Sequence, residues 1–561
     1  MNKRSRANWA FIGLLTAYAI YAAVFIAQSS FVVDGERYFA LFDDAMISMT
    51  FARTLAQGHG LVWFPGAERV EGFTNPLWVF YMAFWHLWPM AQSKVSLAIQ
   101  ISGAVFLLGS LVFVRRIAER LTGSAWAAWV AVFITAFYYP LSNWSLLGME
   151  VSVLLLMLTA AVWMAMRVMD TGRFDPRLYL LLGLMTLVRF DMAVPFVTVW
   201  GWLFLTDAPN RRQHLLWGAA CLVGFLGGQT LLRWWYYGEI FPNTYYLKMT
   251  GYPAGLRVAR GWLALQAFLA SLKFPLYLVP LGFLLYKRDK QTALLFWLVL
   301  AQMAYSVYVG GDAWEHRGGA NRYISLGMPF FMVLFAGAWH AALGWASQAA
   351  ERVLQPMQAG EQTQARARTA IGAGAAAAFF LICLVSLLYF NRLKDDGSLI
   401  YSLRNPDSEN NVLRYAFLLE RSIFVPGTER YARDGLILRT LTTPDATLAV
   451  TAAGNIPYFA ERPAIDLLGK MDKVIAREES KVNERWDTLD DFRAGHDKWD
   501  YAYSLGVLKP DVVVDIRPST SDQAEPYLAE YAVYIVNNHR IYFRNNSPRV
   551  LWDALAAYPQ P

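Results

Sequence analysis

The chain has 561 residues, of which 56% are hydrophobic and only 17% charged; a soluble globular chain carries about a quarter charged residues. With repeated apolar runs of about 20 residues, this depletion excludes a soluble globular fold and points to an α-helical polytopic membrane protein in contact with lipid. The net charge of +7 is scattered between the apolar runs, so it marks cytoplasmic loops, and no nucleic-acid partner is expected.

Aromatic residues make up 15% of the chain and include 22 tryptophans, which suits interfacial belts and sugar-stacking surfaces. Cys221 and Cys383 both fall inside apolar runs and read as buried free thiols. Lys3, Arg4 and Arg6 precede an apolar stretch over 9–27. It lacks a convincing small-residue cleavage site, so it reads as an uncleaved first helix with a cytoplasmic N-terminus. That span delivers Asp43 and Asp44 to the periplasmic side, in a first loop over 29–94. The loop continues through an apolar-polar helical run, a Gly58-His59-Gly60 turn and a polar stretch ending in Thr74-Asn75-Pro76.

Residues 77–90 are apolar but short for a span, and a crossing there would carry Arg115, Arg116 and Arg120 outward. They read as an interfacial helix, with 95–114 as the second span. Spans follow at 125–139 and 149–166, the latter flanked by Arg167, Arg173 and Arg177. Over 178–205 a single span would leave Arg211 and Arg212 outside, so two short limbs turning at the outer surface at Arg189-Phe190-Asp191 are expected. Residues 215–236 run outward to Trp234-Trp235-Tyr236-Tyr237, and further spans are expected at 270–286, 291–309, 324–345 and 369–390. The count is eleven crossings over a membrane domain of 1–390. Residues 391–561 turn polar, with short buried strands at 447–451 and 511–516 and a polar helical pattern over 469–495. This region reads as a soluble α/β domain on the periplasmic face.

By this topology Asp43, Asp44, Arg189, Asp191, Lys248, Asp312, His316, Arg317 and Arg322 all fall at outer loops or helix ends. Each has an ordinary reading. Asp43 can cap the following helix, Arg189 and Asp191 can form a structural ion pair, and Lys248 can be a solvated interface lysine. Gly310-Gly311-Asp312 can be a plain turn and His316 a surface residue. Their joint occurrence on one side of a bundle favours a cavity instead. Such a cavity suits a lipid-linked phosphate donor with its tail in the bilayer and its phosphate against Lys or Arg. A carboxylate can then take the proton of an attacking acceptor hydroxyl. A nucleotide donor is not expected, because no Gly-rich phosphate loop follows a strand.

The first loop, Asp43-Asp44-Ala-Met-Ile, then Arg53 through Gly58-His59-Gly60, then Glu68-Arg69-Val70-Glu71-Gly72-Phe73-Thr74-Asn75-Pro76-Leu77-Trp78, resembles that of type C glycosyltransferases. It is similar in particular to the mycobacterial terminal arabinofuranosyltransferases that use decaprenyl-phosphate arabinose. The Gly238 to Lys248 loop, the Gly310 to Arg322 segment and the Gly454 to Gly469 stretch resemble the same group. The resemblance covers most of the chain; the His316-Arg317-Gly318-Gly319 run departs from the pattern.

The resemblance implies a type C membrane fold and transfer from a polyprenyl-phosphate sugar, with a first-loop aspartate as base. That residue is Asp44 or Asp43, with Asp44 favoured and the two treated as coupled. Lys248, Arg317, Arg322 and His316 are the donor-phosphate candidates. Glu71, Thr74, Asn75, His59, Asp312 and Arg189 are candidates for ordering the loop or touching substrate. No cofactor is implied; two carboxylates can bind a divalent ion, but the sequence offers no full ligand set. The expected activity is transfer of D-arabinofuranose from decaprenyl phosphate to an envelope glycan or surface protein, at the periplasmic face of a bacterial inner membrane. The alternatives are hexose or aminopentose transfer to lipid A or protein, and a lipid-linked sugar transporter. A transporter would call for midplane charges and inverted repeats, neither of which is visible in the sequence.

Overall fold

A computed structural model of the chain describes residues 3–314, 320–354, 361–391, 412–481, 489 and 492–561. The first helix, α1 (Lys3–Gln28), leads into an antiparallel hairpin of β1 (Ser30–Val33) and β2 (Glu36–Phe39). The rest of the first loop holds α2 (Asp43–Ala56) and the short apolar α3 (Pro76–His86), which starts on a proline at its first turn, where the missing N–H costs nothing. The bundle continues with α4 (Gln92–Thr122), α5 (Ala125–Ala136), α6 (Tyr139–Leu146), α7 (Val151–Thr171), α8 (Pro176–Val188), α9 (Ala193–Thr206) and α10 (Arg211–Tyr237). After these come α11 (Asn243–Met249), α12 (Ala254–Leu272), α13 (Val279–Tyr286), α14 (Lys290–Tyr308), α15 (Arg322–Leu354) and α16 (Glu361–Phe390).

Among the described residues, seven helices are long and apolar enough to cross a membrane, or nine if each of two bent pairs is one span. The pairs are α5 with α6, bent by 54°, and the α12 segment with Leu276–Tyr286, bent by 103°. The sequence count of eleven is reached only by adding the shorter apolar helices Pro176–Val188 and Phe190–Thr206. These two are the limbs of the expected hairpin, and the chain does turn at Arg189-Phe190-Asp191. The span expected at 270–286 is not continuous: α12 stops at Leu272, because Pro275 and Pro280 supply no N–H for a helix to carry on.

The C-terminal domain is built on a five-stranded sheet in the order β4-β3-β5-β7-β6, with β3 (Leu448–Val450) parallel to β4 (Ala464–Asp466) and β5 (Val512–Val513). The hairpin of β6 (Tyr531–Val536) and β7 (His539–Arg544) adds an antiparallel edge through β7. Both strands expected from sequence are present. The helical pattern over 469–495 yields only Lys473–Arg477 among the described residues; its polar side chains bind neighbouring loops instead, as Arg477 does Glu239. Alternation along β3 decides how the domain sits. Leu448 and Val450 join the apolar core that runs through the bundle, whereas Ala449 faces a separate cluster with Trp499 and Leu505. One face of the sheet therefore shares its core with the bundle, through helices Val425–Leu441 and Asn455–Ala460.

Candidate functional site

Phe42, not Asp43, occupies the cap position of α2, and both acids lie in the first helical turn, where the helix dipole favours a carboxylate. The two side chains part company there. The Asp43 carboxylate turns to the C-terminal domain and accepts the backbone N–H of Asn455 (2.8 Å) and Gly454 (3.2 Å) and the Asn455 Nδ2 group (3.2 Å). A Cβ at position 454 would lie 2.0 Å from the Asp43 carbonyl oxygen, so glycine is what lets the two segments approach. Burial pushes the Asp43 carboxyl up to about 6, with the Asn455 N–H and Lys470 opposing and Asp44 adding to the rise.

Asp44 turns instead into a cavity of about 230 Å³ between the first loop, the bundle and the C-terminal domain. Arg322, the first residue of α15, forks onto Asp312 at 2.7 and 3.0 Å and spends its remaining Nη1 on Asp44 at 3.1 Å. Lys470 of the C-terminal domain donates to the other Asp44 oxygen. Lys248, on α11, lines the same cavity and makes no hydrogen bond or ion pair among the described residues. Three cations thus surround two carboxylates. Burial alone would raise the Asp44 carboxyl, but Lys470, Arg322 and Lys248 outweigh it and hold it well below the usual range. Asp312 is held low in the same way, Arg322 overcoming the effect of burial. Burial and the like charges of Arg322 and Lys470 push the Lys248 ammonium down to about 8.

A second cluster lines the cavity one helical turn from Asp44. The Ser48 hydroxyl donates to Asn75 Oδ1 (3.0 Å), and Asn75 Nδ2 donates to Glu150 (3.1 Å). Arg189 donates to Glu150 (3.1 Å) through Nη1 and to Asp191 (2.6 Å) through Nε. The Tyr323 ring centroid lies 5.3 Å from the guanidinium carbon. Here two carboxylates share one guanidinium. Arg189 and Asp191 are 7% and 6% exposed, so the pair expected at the outer surface is buried in the cavity wall, where Glu150 adds a second carboxylate against the one guanidinium.

Of the candidate residues, Asp44, Thr74, Asn75, Arg189, Lys248, Asp312 and Arg322 line this cavity. Asp43 does not; it fastens the C-terminal domain. Glu71 does not line it either: it is buried against the Arg233 guanidinium and ties the first loop to α10. His59 sits in an exposed turn, donates its backbone N–H to the Thr54 carbonyl and does not line the cavity. His316 and Arg317 lie outside the described residues. Sequence reasoning missed Glu150 and Lys470. An acid heading the apolar run of α7 was a signal for Glu150; Lys470 gave none, because its partner Asp44 is 426 residues away. Among the described residues, no group of three or more His, Cys, Asp or Glu side chains gathers as a metal-ligand set.

The fold has solved counterparts. ArnT from Cupriavidus metallidurans in the apo state matches at a TM-score of 0.53 and 13% identity, over 96% of this chain and 98% of ArnT. The same protein bound to undecaprenyl phosphate matches at 0.53 and 12% identity, over the same shares of both chains. The chain has the type C fold of ArnT. A family model described as a domain of unknown function (DUF8728) matches residues 426–550, within the C-terminal domain. No curated protein matches the chain.

Proposed function

We propose that the protein is a membrane glycosyltransferase that moves a sugar from a polyprenyl phosphate to an acceptor hydroxyl, with Asp44 as general base. The observation that carries this is an ionised, buried carboxylate, Asp44, at the end of the cavity where, among the described residues, Arg322, Lys470 and Lys248 outnumber Asp44 and Asp312 by one. A phosphate fits that excess, as N–H donors of Arg and Lys bind phosphate oxygens with charge assistance. In the step, the acceptor oxygen forms a bond to the anomeric carbon as the bond from that carbon to the phosphate oxygen breaks. The acceptor proton passes to Asp44, and the electron pair of the broken bond stays on the phosphate. The leaving phosphate gains a negative charge, which the three cations offset where it develops.

The finer reading is transfer of D-arabinofuranose from decaprenyl phosphate to an envelope glycan or surface protein. Residues 1–390 would be the membrane catalytic domain and 391–561 a periplasmic domain roofing the cavity, in a multi-pass protein of a bacterial inner membrane. The first-loop motif supports the sugar and the carrier; the shared fold with ArnT, solved with undecaprenyl phosphate bound, supports the carrier class. The test is release of polyprenyl phosphate by the purified full chain in detergent, from decaprenyl-phosphate arabinose and from a polyprenyl-phosphate hexose, with and without acceptor glycan. Acceptor-dependent release from the arabinose donor alone is the expected result. Release from the hexose donor alone overturns the sugar, and release from neither by a folded protein overturns the transferase reading.

A further inference from the structure

Among the described residues, Lys470 is the member of the cation cluster that the C-terminal domain supplies, and its loop is fixed by its surroundings while its ammonium is held by Asp44. The Asp466 carboxylate accepts the N–H groups of Leu468 and Met471, both at 2.9 Å, and closes the turn after β4. Asn243, at the start of α11, donates through Nδ2 to the carbonyls of Gly469 (2.9 Å), Lys470 (3.0 Å) and Asp472 (3.1 Å), which pins the turn over the cavity. Asp43, clasped by Gly454 and Asn455, holds the same domain down from the other side. From this anchored backbone the Lys470 ammonium reaches Asp44 on a flexible four-carbon stem. Arg322 differs, since two of its three nitrogens are engaged by Asp312.

We propose that Lys470 is a donor-phosphate ligand carried by the C-terminal domain, which leaves Asp44 for the phosphate when the lipid-linked sugar enters and so frees the base only in the donor complex. This rests on the transferase reading of the cavity. Held by Arg322 and Lys470, Asp44 is a poor base, because those cations would have to be displaced for it to accept a proton. An entering phosphodiester brings a competing anion whose charge grows as the glycosyl bond breaks, so the cations follow the phosphate. The charged and titratable groups facing the exchange are Asp43 and Asp44 on α2, Lys248 on α11, Asp312 and Arg322 around the start of α15, and Asp466 and His496 of the C-terminal domain.

The exchange is tested with the full chain, using bare polyprenyl phosphate as the binding probe and pH profiles of transfer as the second readout. Lys470→Met is expected to weaken polyprenyl phosphate binding by about tenfold or more, as the loss of a charge-assisted contact, while Lys470→Arg retains it. Asp44→Asn removes the competitor, so it is expected to bind polyprenyl phosphate more tightly than the unaltered protein. The acid limb of kcat, which reports the donor complex, is expected at higher pH than that of kcat/KM, which reports the free enzyme; in Lys470→Met the gap narrows. Lys470→Met binding polyprenyl phosphate like the unaltered protein, or Asp44→Asn binding it no more tightly, overturns the exchange. If Lys470→Met does not fold, the Asp44→Asn comparison alone decides. Failure of the unaltered protein to bind polyprenyl phosphate would instead overturn the transferase reading beneath it.

Discussion

The two charged clusters of the cavity both set buried carboxylates against a guanidinium, and their charges are balanced differently. Around Asp44, three cations meet two carboxylates, and Lys248 is left without a partner among the described residues. Around Arg189, two carboxylates meet one cation, and an amide bridges them to Ser48. The first cluster has positive charge to spare for an incoming anion. The second repels one; its ion pairs join the start of α7 to the turn between α8 and α9, and the Asn75 amide ties the end of the first loop to them through Glu150. The two clusters differ in the sign of their surplus charge among the described residues and in whether a cation there is left without a partner.

Substitutions can break this comparison, and the largest effect is expected at Asp44. Asp44→Asn should lower kcat by about 10²–10⁴, the usual worth of a general base, with the protein still folded; single-turnover assays check it, and full activity would remove Asp44 from the chemistry. In the second cluster, Arg189→Met should cost stability first, because it strands Glu150 and Asp191 as buried, unbalanced charges. The expected loss is about 3–5 kcal/mol, read by thermal unfolding in detergent. An unchanged melting temperature would mean that the cluster is not a structural link.

Lys248 sharpens the contrast through pH. Its ammonium titrates near 8, below the ordinary lysine value, so it is charged below that pH and neutral above it. The donor KM should therefore rise as pH climbs past about 8, and Lys248→Met should flatten that limb. The smallest effects are expected at the residues that the cavity leaves out. Asp43→Asn keeps an oxygen for the Asn455 N–H and should alter kcat far less than Asp44→Asn does. His59→Ala should stay within about 0.5 kcal/mol of the unaltered protein in stability, as exposed positions do, with its transfer rate unchanged.

Sequence alone determined what is local or repeated along the chain. Apolar run lengths and flanking arginines fixed the helical membrane class and the hairpin at Arg189-Phe190-Asp191, because hydrocarbon thickness and the positive-inside bias act on short windows. The polar C-terminal stretch and two of its strands followed from composition and short apolar runs. A tight pair of acids after the first span was enough to single out Asp43 and Asp44. Only the tertiary structure showed that their side chains part company. Asp44 faces Arg322 and Lys470, 278 and 426 residues away, and Asp43 meets Gly454 and Asn455, 411 and 412 residues away. Glu71 and His59 left the candidate site for the same reason. Whether a polar side chain reaches a cavity depends on which way its element turns and on what distant segment packs against it, and neither is written in a residue's own neighbourhood.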